Sequence, residues 1–497
     1  MTEKNGVQDQ PCLPRPETHR LTERSVSMDE PIMMPCGRKE LFWDGYLADP
    51  ERTTAVHRLL PPAEKECSFL FDRGEERHSV SYPNLVRDEA GYKLYYMSFN
   101  PAMPFEKRRF RLHVLESGDG MHWTRPDLQL FPDEYPGANN IVIDGMDESS
   151  LCVFYDTNPA CPPEDKYKVL TMVFLDRTTD RRSLWCWLSP DGYHFRKGYM
   201  LTDRGRFDTL NSTFWKDGLY CSFVRDLHGS WETGVVRDVR MMTSEDFVHW
   251  SDPVPLEYDD GMDTQMYTNN IMPCPGASHM FLGMPTRYVE RQVWTKNDDQ
   301  FGSAVSKRRA AESIELRCGL AVTDLQFMCS RDGVHFHRYP DAYLTPGPET
   351  EHNWIYGDCY ASWPLLDSGN TWSFYLYKNG MTADTPKELW RYELRKDGFA
   401  CMIAEGGEKQ VVTRPLVYEG SSLHLNMATS GYGSVYVTVL NEAGVPLSEE
   451  SVELYGDSTD RTVYFPDGSG DFSPWAGKPV RLQFRMRDAK LYSMEIR

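Results

Sequence analysis

A short turn motif recurs along the chain and constrains its fold more than any other sequence feature. Each copy reads Ser-x-Asp, two further residues, His and a large aromatic residue. Four copies begin at Ser117, Ser189, Ser244 and Ser330, and a shorter fifth copy, KDGF, begins at Lys396. Ser and Asp side chains bond nearby backbone N–H groups in turns, and Gly accepts a positive φ at little cost. Repetition at intervals of tens of residues indicates one structural unit used several times.

The segments before each copy complete the repeating unit. They are apolar and rich in tyrosine, they alternate in the manner of β-strands, and most contain a polar turn between two such runs. Each unit therefore holds enough strands for a four-stranded sheet. Because five such units follow one another, we predict an all-β fold whose main part is a five-bladed β-propeller.

Changes in composition divide the chain into three predicted parts. Residues 1–40 are polar and contain several prolines, and we expect an N-terminal arm there. Residues 41–405 hold the repeats and form the predicted five-bladed propeller, which we expect to be the catalytic domain. Residues 406–497 alternate apolar and polar residues between Gly, Asn and Asp turns, which predicts a C-terminal β-sandwich. A segment at 289–317 interrupts the fourth blade with the best helical stretch of the chain, and we interpret it as a lid or a contact in a homo-oligomer.

Composition restricts the partners and the compartment. The formal net charge is −20, which argues against nucleic acid or an anionic membrane as a partner. No run of about twenty apolar residues exists, and the N-terminus has no apolar signal segment. The 12 cysteines contain no CxxC pair and are expected to be buried free thiols. We therefore expect a cytoplasmic protein without a membrane span.

Acidic residues near the starts of the innermost strands are the predicted catalytic groups. In a propeller these strands line a central channel, so carboxylates from several blades converge at its mouth. Glycoside hydrolysis needs one protonated and one ionised carboxyl group, and crowded carboxylates separate each other's pKa values. We predict Asp208 and Asp263 as the acid and base pair, with Asp156 or Glu148 as a third carboxylate that adjusts their pKa values.

Several further residues are predicted to hold a sugar substrate. Aromatic rings stack on sugars, and amide, guanidinium and carboxylate groups bond hydroxyls. The predicted binding residues are Asn211, Tyr267, Arg225, Arg287, Trp354 and Asp44, the last of which we expect to close the ring of blades. No HxH or HExxH pattern occurs, so no metal or cofactor is assigned, although carboxylates in the channel allow a structural calcium ion.

The motifs resemble those of known carbohydrate-active propellers. The Ser-x-Asp turns are similar to the Asp boxes of sialidases and to segments of five-bladed invertase-, levanase- and arabinanase-type hydrolases. Segments such as LFWDGYL, YPNLVRD, FDTLNSTFW and TDLQFMCSRDGVHF resemble a group of bacterial propeller proteins labelled glycosyl hydrolases. The chain has neither the Asn-Asp-Pro nor the Glu-Cys-Pro motif of the invertase type, so catalytic roles do not transfer, and only Asp208 matches a catalytic acidic position.

The favoured interpretation is an exo-acting glycoside hydrolase that cleaves a small oligosaccharide or glycoside, of the furanoside type in preference. One alternative is a propeller that binds carbohydrate or protein without catalysis. Another is a sialidase-like enzyme, in which Arg225, Arg287 and Arg317 would hold a carboxylate, or a lyase that acts on uronic sugars.

Overall fold

The computed structural model describes residues 30–100, 103–104, 107–147, 150–230, 234–313, 315–379 and 385–497. Five sheets follow one another along the chain, all antiparallel except for one parallel pair in the fourth, and confirm the predicted five-bladed propeller. Four strands precede the first blade: β1 (Ile32–Met34), β2 (Lys39–Leu41), β3 (Val56–Leu59) and β4 (Ala63–Phe71).

The first two blades have the same simple order, in which each strand pairs with the next. The strands of blade one, β5 to β8, are Val80–Arg87, Tyr92–Ser98, Phe110–Ser117 and Ile141–Met146. The strands of blade two, β9 to β12, are Cys152–Tyr155, Tyr167–Asp176, Arg181–Ser189 and Arg196–Thr202.

Blades three and four are extended beyond this pattern. The strands of blade three, β13 to β16, are Ser212–Lys216, Leu219–Ser230, Gly234–Ser244 and Val254–Pro255, and its two middle strands form a long hairpin. The strands of the blade-four region, β17 to β23, are Glu257–Tyr258, Ile271–Cys274, Ala277–Gly283, Thr286–Glu290, Ala321–Leu325, Met328–Ser330 and His335–Arg338. Of these, β20 and β21 form a separate two-stranded sheet.

A helical insertion joins β20 to β21. It contains helices α1 (Ala304–Ser313) and α2 (Leu316–Leu320), which confirms the helix expected inside 289–317. The insertion packs on the loop before blade five through a small apolar cluster of Ala310, Cys318 and Ile355. Its contact with a second subunit stays a prediction.

Blade five closes the ring with a strand from the start of the chain. Its own strands β24 to β26 are Leu366–Asp367, Thr371–Lys378 and Lys387–Arg395. The outermost strand is β4, which pairs with β26 from Phe71↔Lys387 to Ala63↔Glu393. The ring is therefore closed by the strand at 63–71, and the prediction that Asp44 closes it is wrong.

The C-terminal region forms one hydrogen-bonded sheet of eight strands. Strands β27 to β31 are Ala400–Val412, Leu416–Tyr418, Leu423–Asn441, Asp457–Thr462 and Val480–Ile496, and β1, β2 and β3 join them. Each of the three longest strands contains a shift of register, and the buried face covers a single hydrophobic core. The end of the predicted 1–40 arm thus lies in this sheet, and residue 405 lies within β27.

The propeller has two different ends. The innermost strands of neighbouring blades run side by side, as shown by the bridges Asn84↔Trp363 and Leu151↔Leu210. We call the end where innermost strands begin the mouth, and the opposite end the exit end. In blade two, Tyr155 at the end of the innermost strand pairs with Tyr167, and Tyr167 pairs with Ser189, where the Ser-x-Asp turn begins. The Ser-x-Asp turns therefore lie at the exit end.

Side-chain hydrogen bonds lock each Ser-x-Asp turn. In the first copy, Ser117 Oγ donates to Asp119, whose carboxylate accepts the N–H groups of Met121 and His122. The other three full copies repeat these bonds. Three copies have Gly at the positive-φ position, and the third has Phe247 there with a φ of 67°. The four histidines bond the same aspartates, so they belong to the turns.

Candidate active site

Asp208 is the predicted catalytic residue that lies at the mouth and reaches solvent. It precedes the innermost strand of blade three, and its side chain is 30% exposed. Its Oδ2 atom lies 3.0 Å from Arg182 Nη1, and its Oδ1 atom lies 3.8 Å from Arg225 Nη1. Burial opposes ionisation of Asp208, but the guanidinium groups of Arg225 and Arg182 outweigh it and hold its pKa below the usual range. The structure thus places an ionised carboxylate at the mouth.

Arg225 connects this carboxylate to an aromatic ring. Its guanidinium lies 4.8 Å from the ring centre of Tyr267, and it donates to the backbone carbonyl of the same residue. Arg225 is 3% exposed. Arg225 therefore positions Asp208 and Tyr267, both of which are partly exposed, and its role in holding a sugar stays a prediction.

A group of tyrosines surrounds Tyr267 at the mouth. Tyr267 stacks on Tyr360 at 5.5 Å between ring centres, and Tyr360 stacks on Tyr82 at 5.8 Å. The hydroxyl groups of Tyr267 and Tyr356 are hydrogen-bonded to each other. We call Tyr82, Tyr267, Tyr288, Tyr356 and Tyr360 the mouth tyrosines. They come from blades one, four and five, and thus join three blades around one point.

Two more arginines reach the mouth tyrosines. Arg237 lies 4.2 Å from the ring centre of Tyr288 and 6.0 Å from that of Tyr267. Arg317, from the helical insertion, places Nη1 3.3 Å from the Tyr288 hydroxyl. Three guanidinium groups, of Arg225, Arg237 and Arg317, therefore contact a single pair of rings.

Arg287 does not join that arginine group. Its Nε and Nη2 atoms donate to both oxygens of Asp324 at 2.9 and 2.6 Å, and Nη1 donates to the Pro340 carbonyl. All three nitrogens of its guanidinium are thus engaged in protein contacts. The prediction that Arg287 holds a sugar finds no support in this geometry, and Arg237 occupies the position expected of it.

Asp263 lies away from Asp208. Its side chain is 66% exposed and its Oδ1 atom lies 3.0 Å from His228 Nε2. His228 and Arg225 stand three residues apart on β14, so their side chains point to opposite faces of the strand. The structure therefore places the two predicted partners, Asp208 and Asp263, on opposite faces of the long hairpin.

The face that carries His228 holds a second group of acids. Asp226 and Asp238 are directly opposite each other on β14 and β15, and Asp238 bonds His228 Nδ1 at 3.0 Å. Burial and the neighbouring Asp238 raise the pKa of Asp226. Burial opposes the charge on His228, but its hydrogen bonds to the carboxylates of Asp263 and Asp238 raise its pKa. Arg240 also contacts both Asp226 and Asp238. Arg240 and His228 thus offset part of the negative charge of these acids.

Asp156 lies at the exit end, so the prediction that it stands at the start of an innermost strand is wrong. It follows the last residue of β9 and is 0% exposed. Its carboxylate accepts bonds from Lys168 Nζ at 2.6 Å, the Tyr220 hydroxyl at 2.7 Å and the Asn158 N–H at 2.9 Å. These bonds join blades two and three, so Asp156 has a structural role in this geometry.

Two other predicted binding residues are also engaged in structural bonds. Asn211 is fully buried, donates to the carbonyls of Phe207 and Thr209, and accepts the N–H of Arg225. Asp44 accepts bonds from Arg331, an exit-end residue that also bonds Glu40. Neither side chain lies free at the mouth.

Trp354 and Glu148 complete the predicted set. Trp354 lies in the loop before blade five, donates to the Gly347 carbonyl at 2.8 Å and packs on Phe301 of the insertion. It is partly exposed and belongs to the same loop as the mouth tyrosines Tyr356 and Tyr360. Glu148 lies outside the described residues.

Asp358, in the same loop before blade five, is a carboxyl group that is not among the predicted site residues. Asp358 is buried, accepts the Ile355 N–H at 3.0 Å, and its backbone carbonyl accepts a bond from Thr323. Burial raises its pKa to about 7. The segment ETEHNWIYGDCYASW is acidic and aromatic, but nothing in it indicates how deeply Asp358 is buried.

A metal site is not assembled by these residues. Within the described ranges, no three His, Cys, Asp or Glu side chains are placed to hold one ion. The described helices include none that is long and apolar enough to span a bilayer.

Comparisons with known proteins return distant structural similarities. No protein-family model and no curated protein matches the sequence. An N-acetylgalactosamine deacetylase from F. plautii, solved with blood group B trisaccharide, is 13% identical with a TM-score of 0.46, over 68% of this chain and 96% of that one. The GH32 β-fructofuranosidase of Bombyx mori is 8% identical with a TM-score of 0.38, over 90% of this chain and 95% of that one. A structure from the GH130 family, whose description names glycoside hydrolases that target β-1,2 mannosidic linkages in Candida mannan, is 12% identical with a TM-score of 0.39. The match covers 70% of this chain and 93% of that one.

Proposed function

We propose that the protein is a glycosidase whose active site lies at the mouth of the propeller, with Asp208 as its ionised carboxylate. The observation that carries this proposal is the contact of Arg225 with both Asp208 and Tyr267. A fixed carboxylate beside a partly exposed aromatic residue offers a sugar both a charged partner for the reacting carbon and an aromatic contact.

The reaction also needs a protonated carboxyl group, and the chain offers two candidates. Asp358 has a pKa of about 7, so a large fraction stays protonated near neutral pH, but it is buried and must become accessible in the substrate complex. Asp263 is accessible but contacts the other face of the hairpin. We favour Asp358, because it lies in the same loop as Tyr356 and Tyr360.

The substrate proposed here is a short oligosaccharide or a glycoside, cleaved from one end and preferably a furanoside. The packing of the helical insertion on the loop before blade five supports exo action, because it covers one side of the mouth. A covered mouth admits the end of a chain more easily than its middle.

A substrate screen with paired variants tests this proposal. The full chain is assayed against aryl-glycosides and short oligosaccharides, furanosides included, and the best substrate is used for kinetics. We expect Asp208→Asn to lower kcat by about 10²–10⁴-fold, the range typical of a lost acid or base group, with little change in melting temperature. The kcat values of Asp358→Asn and Asp263→Asn on the same substrate then identify the protonated carboxyl group, because the variant that lacks it loses activity. Full activity of Asp208→Asn on a substrate cleaved by the wild type would refute the assignment.

A second candidate function is action on an acidic sugar. Arg225, Arg237 and Arg317 converge on Tyr267 and Tyr288, and guanidinium groups are suited to bind a carboxylate. Aryl-uronides and sialosides therefore belong in the same screen. If the substrate is acidic, Arg237→Met raises its KM by about tenfold or more, equivalent to at least about 1.4 kcal/mol. Equal KM values for the variant and the wild type would exclude this function.

A further inference from the structure

A groove on the outer face of the C-terminal sheet is distinct from the mouth. It has a volume of about 500 Å³, within the range of about 300–1,000 Å³ that is usual for small-ligand sites. Tyrosine, arginine and glutamate side chains line it, from the strands β27, β29 and β31 and from the segment that follows β29. We call it the tyrosine groove.

The tyrosine groove contains the most exposed aromatic rings of the described chain. Tyr432 is 78% exposed and Tyr455 is 66% exposed, and the one other strongly exposed aromatic residue among the described ranges is Tyr464. All other aromatic residues in the described ranges are at least partly covered. Burying an aromatic side chain stabilises the folded state, and an exposed ring does not contribute this free energy. Two neighbouring exposed rings are therefore not required for folding and are typical of a binding site.

The backbone is shaped to present Tyr432. Strand β29 changes register against β31 between Thr429 and Ser434, so the residues between them bulge from the sheet. Glycines stand on both sides of Tyr432, and a Cβ atom at Gly433 would collide with the Asp488 carbonyl. The glycine therefore permits the close approach that lifts Tyr432 out of the sheet.

Fixed polar groups stand beside the rings. Arg485 donates to both oxygens of Glu450 at 2.8 and 2.6 Å and to Glu408 at 2.9 Å, and its guanidinium lies 4.3 Å from the ring centre of Tyr436. Arg487 lies 3.7 Å from Glu408 and 3.4 Å from the Tyr432 hydroxyl. Arg485 thus holds the glutamates in place as acceptors, while Arg487 and the tyrosine hydroxyls are the donors of the groove.

The charge balance of the groove decides the class of ligand. The two arginines, Arg485 and Arg487, stand against three glutamates, Glu408, Glu450 and Glu453, so no positive charge is left in excess for a phosphate or a polyanion, and the chain as a whole carries −20. A neutral sugar chain matches the groove, because its C–H faces stack on tyrosine rings and its hydroxyls bond the carboxylates and the Arg487 guanidinium. We infer that the tyrosine groove is a non-catalytic binding site for a neutral polysaccharide. This inference does not rest on the glycosidase activity proposed for the mouth.

Affinity electrophoresis of the full chain tests the inference. Native gels contain a soluble neutral polysaccharide, with xylan, arabinan, galactomannan and laminarin tried in turn, and a parallel gel contains polygalacturonate. We expect retardation by at least one neutral polymer. Tyr432→Ala and Tyr455→Ala should each weaken it about tenfold or more, equivalent to at least about 1.4 kcal/mol. Tyr464→Ala, a matched exposed tyrosine outside the groove, should leave it unchanged.

The controls separate this site from the mouth. Asp208→Asn should retain retardation, and the two groove variants should retain wild-type melting temperatures and turnover of any small glycoside. The inference is overturned if no neutral polymer retards the protein, if only polygalacturonate does, or if Tyr464→Ala weakens retardation as much as Tyr432→Ala. Sedimentation showing a dimer that Tyr432→Ala dissociates, without any effect on retardation, would likewise overturn it in favour of a subunit interface.

Discussion

The acidic residues at the two ends of the propeller differ in their exposure and in their hydrogen bonds. At the exit end, Asp156 has no exposed surface and three hydrogen bonds, and the turn aspartates bond their own backbone. At the mouth, the Asp208 side chain is partly exposed, while its Oδ1 atom is buried and makes no hydrogen bond. Buried polar atoms are normally satisfied, so an unsatisfied carboxylate oxygen in a partly exposed side chain marks a candidate for ligand binding. The comparison teaches that the acids of one end stabilise the fold, while those of the other remain available for chemistry.

Asp156→Asn is the change with the largest expected effect on stability. It leaves the Lys168 ammonium buried without its anionic partner, which costs about 3–5 kcal/mol in comparable buried pairs. Asp217 follows the innermost strand of blade three in the same way but is exposed, so Asp217→Asn is the matched control. Chemical denaturation followed by tryptophan fluorescence measures both. Equal stability of the two variants would contradict a structural role for the exit-end acid.

The pH dependence of stability sharpens the comparison on the mouth side. Burial raises the pKa of Asp358 to about 7, so the folded protein holds this proton more tightly than the unfolded chain. The stability it contributes is complete below about pH 4, the usual value for a carboxyl group, and is lost as the pH rises through about 7. Melting temperatures of the wild type between pH 4 and 8 should fall more steeply than those of Asp358→Asn. Parallel curves would show that Asp358 does not hold the proton.

The smallest expected effect belongs to a single turn aspartate. Asp119→Ala removes an acceptor for two N–H groups and should cost about 1 kcal/mol, as for side chains that cap helix N-termini. The N–H and ring of His122 lower the pKa of Asp119, so this stability is present above about pH 4 and lost as the pH falls below it. Asp397 of the fifth copy is a useful contrast, because it is buried and bonds Ser493 and Asn426 of the C-terminal sheet. Asp397→Ala should cost more, and the reverse order in thermal melts would contradict this account.

The sequence predicted the architecture better than the site. The turn motif depends on local bonds between residues two or three apart, which is why its repetition predicted five blades. The helix inside 289–317 was also predicted, because helix propensity is local. Strand β4 could not be assigned to blade five in this way, since its partner β26 lies more than 300 residues along the chain.

The site residues show where local reasoning ends. Asp156 and Asp208 both stand beside an innermost strand, but one follows its end and the other precedes its start, and that difference reverses their positions in the propeller. Asn211 and Arg287 have suitable chemistry for sugars, yet partners distant in sequence engage them. Arg237 was missed because its contacts with Tyr267 and Tyr288 arise from the length of the β14–β15 hairpin.

A crystal structure of Asp208→Asn soaked with a substrate that the wild type cleaves tests the central claim most directly. The account predicts a sugar bound at the mouth, within hydrogen-bond distance of residue 208 and in contact with Tyr267. A sugar bound in the channel at the exit end, or at the mouth with no contact to residue 208, would contradict it.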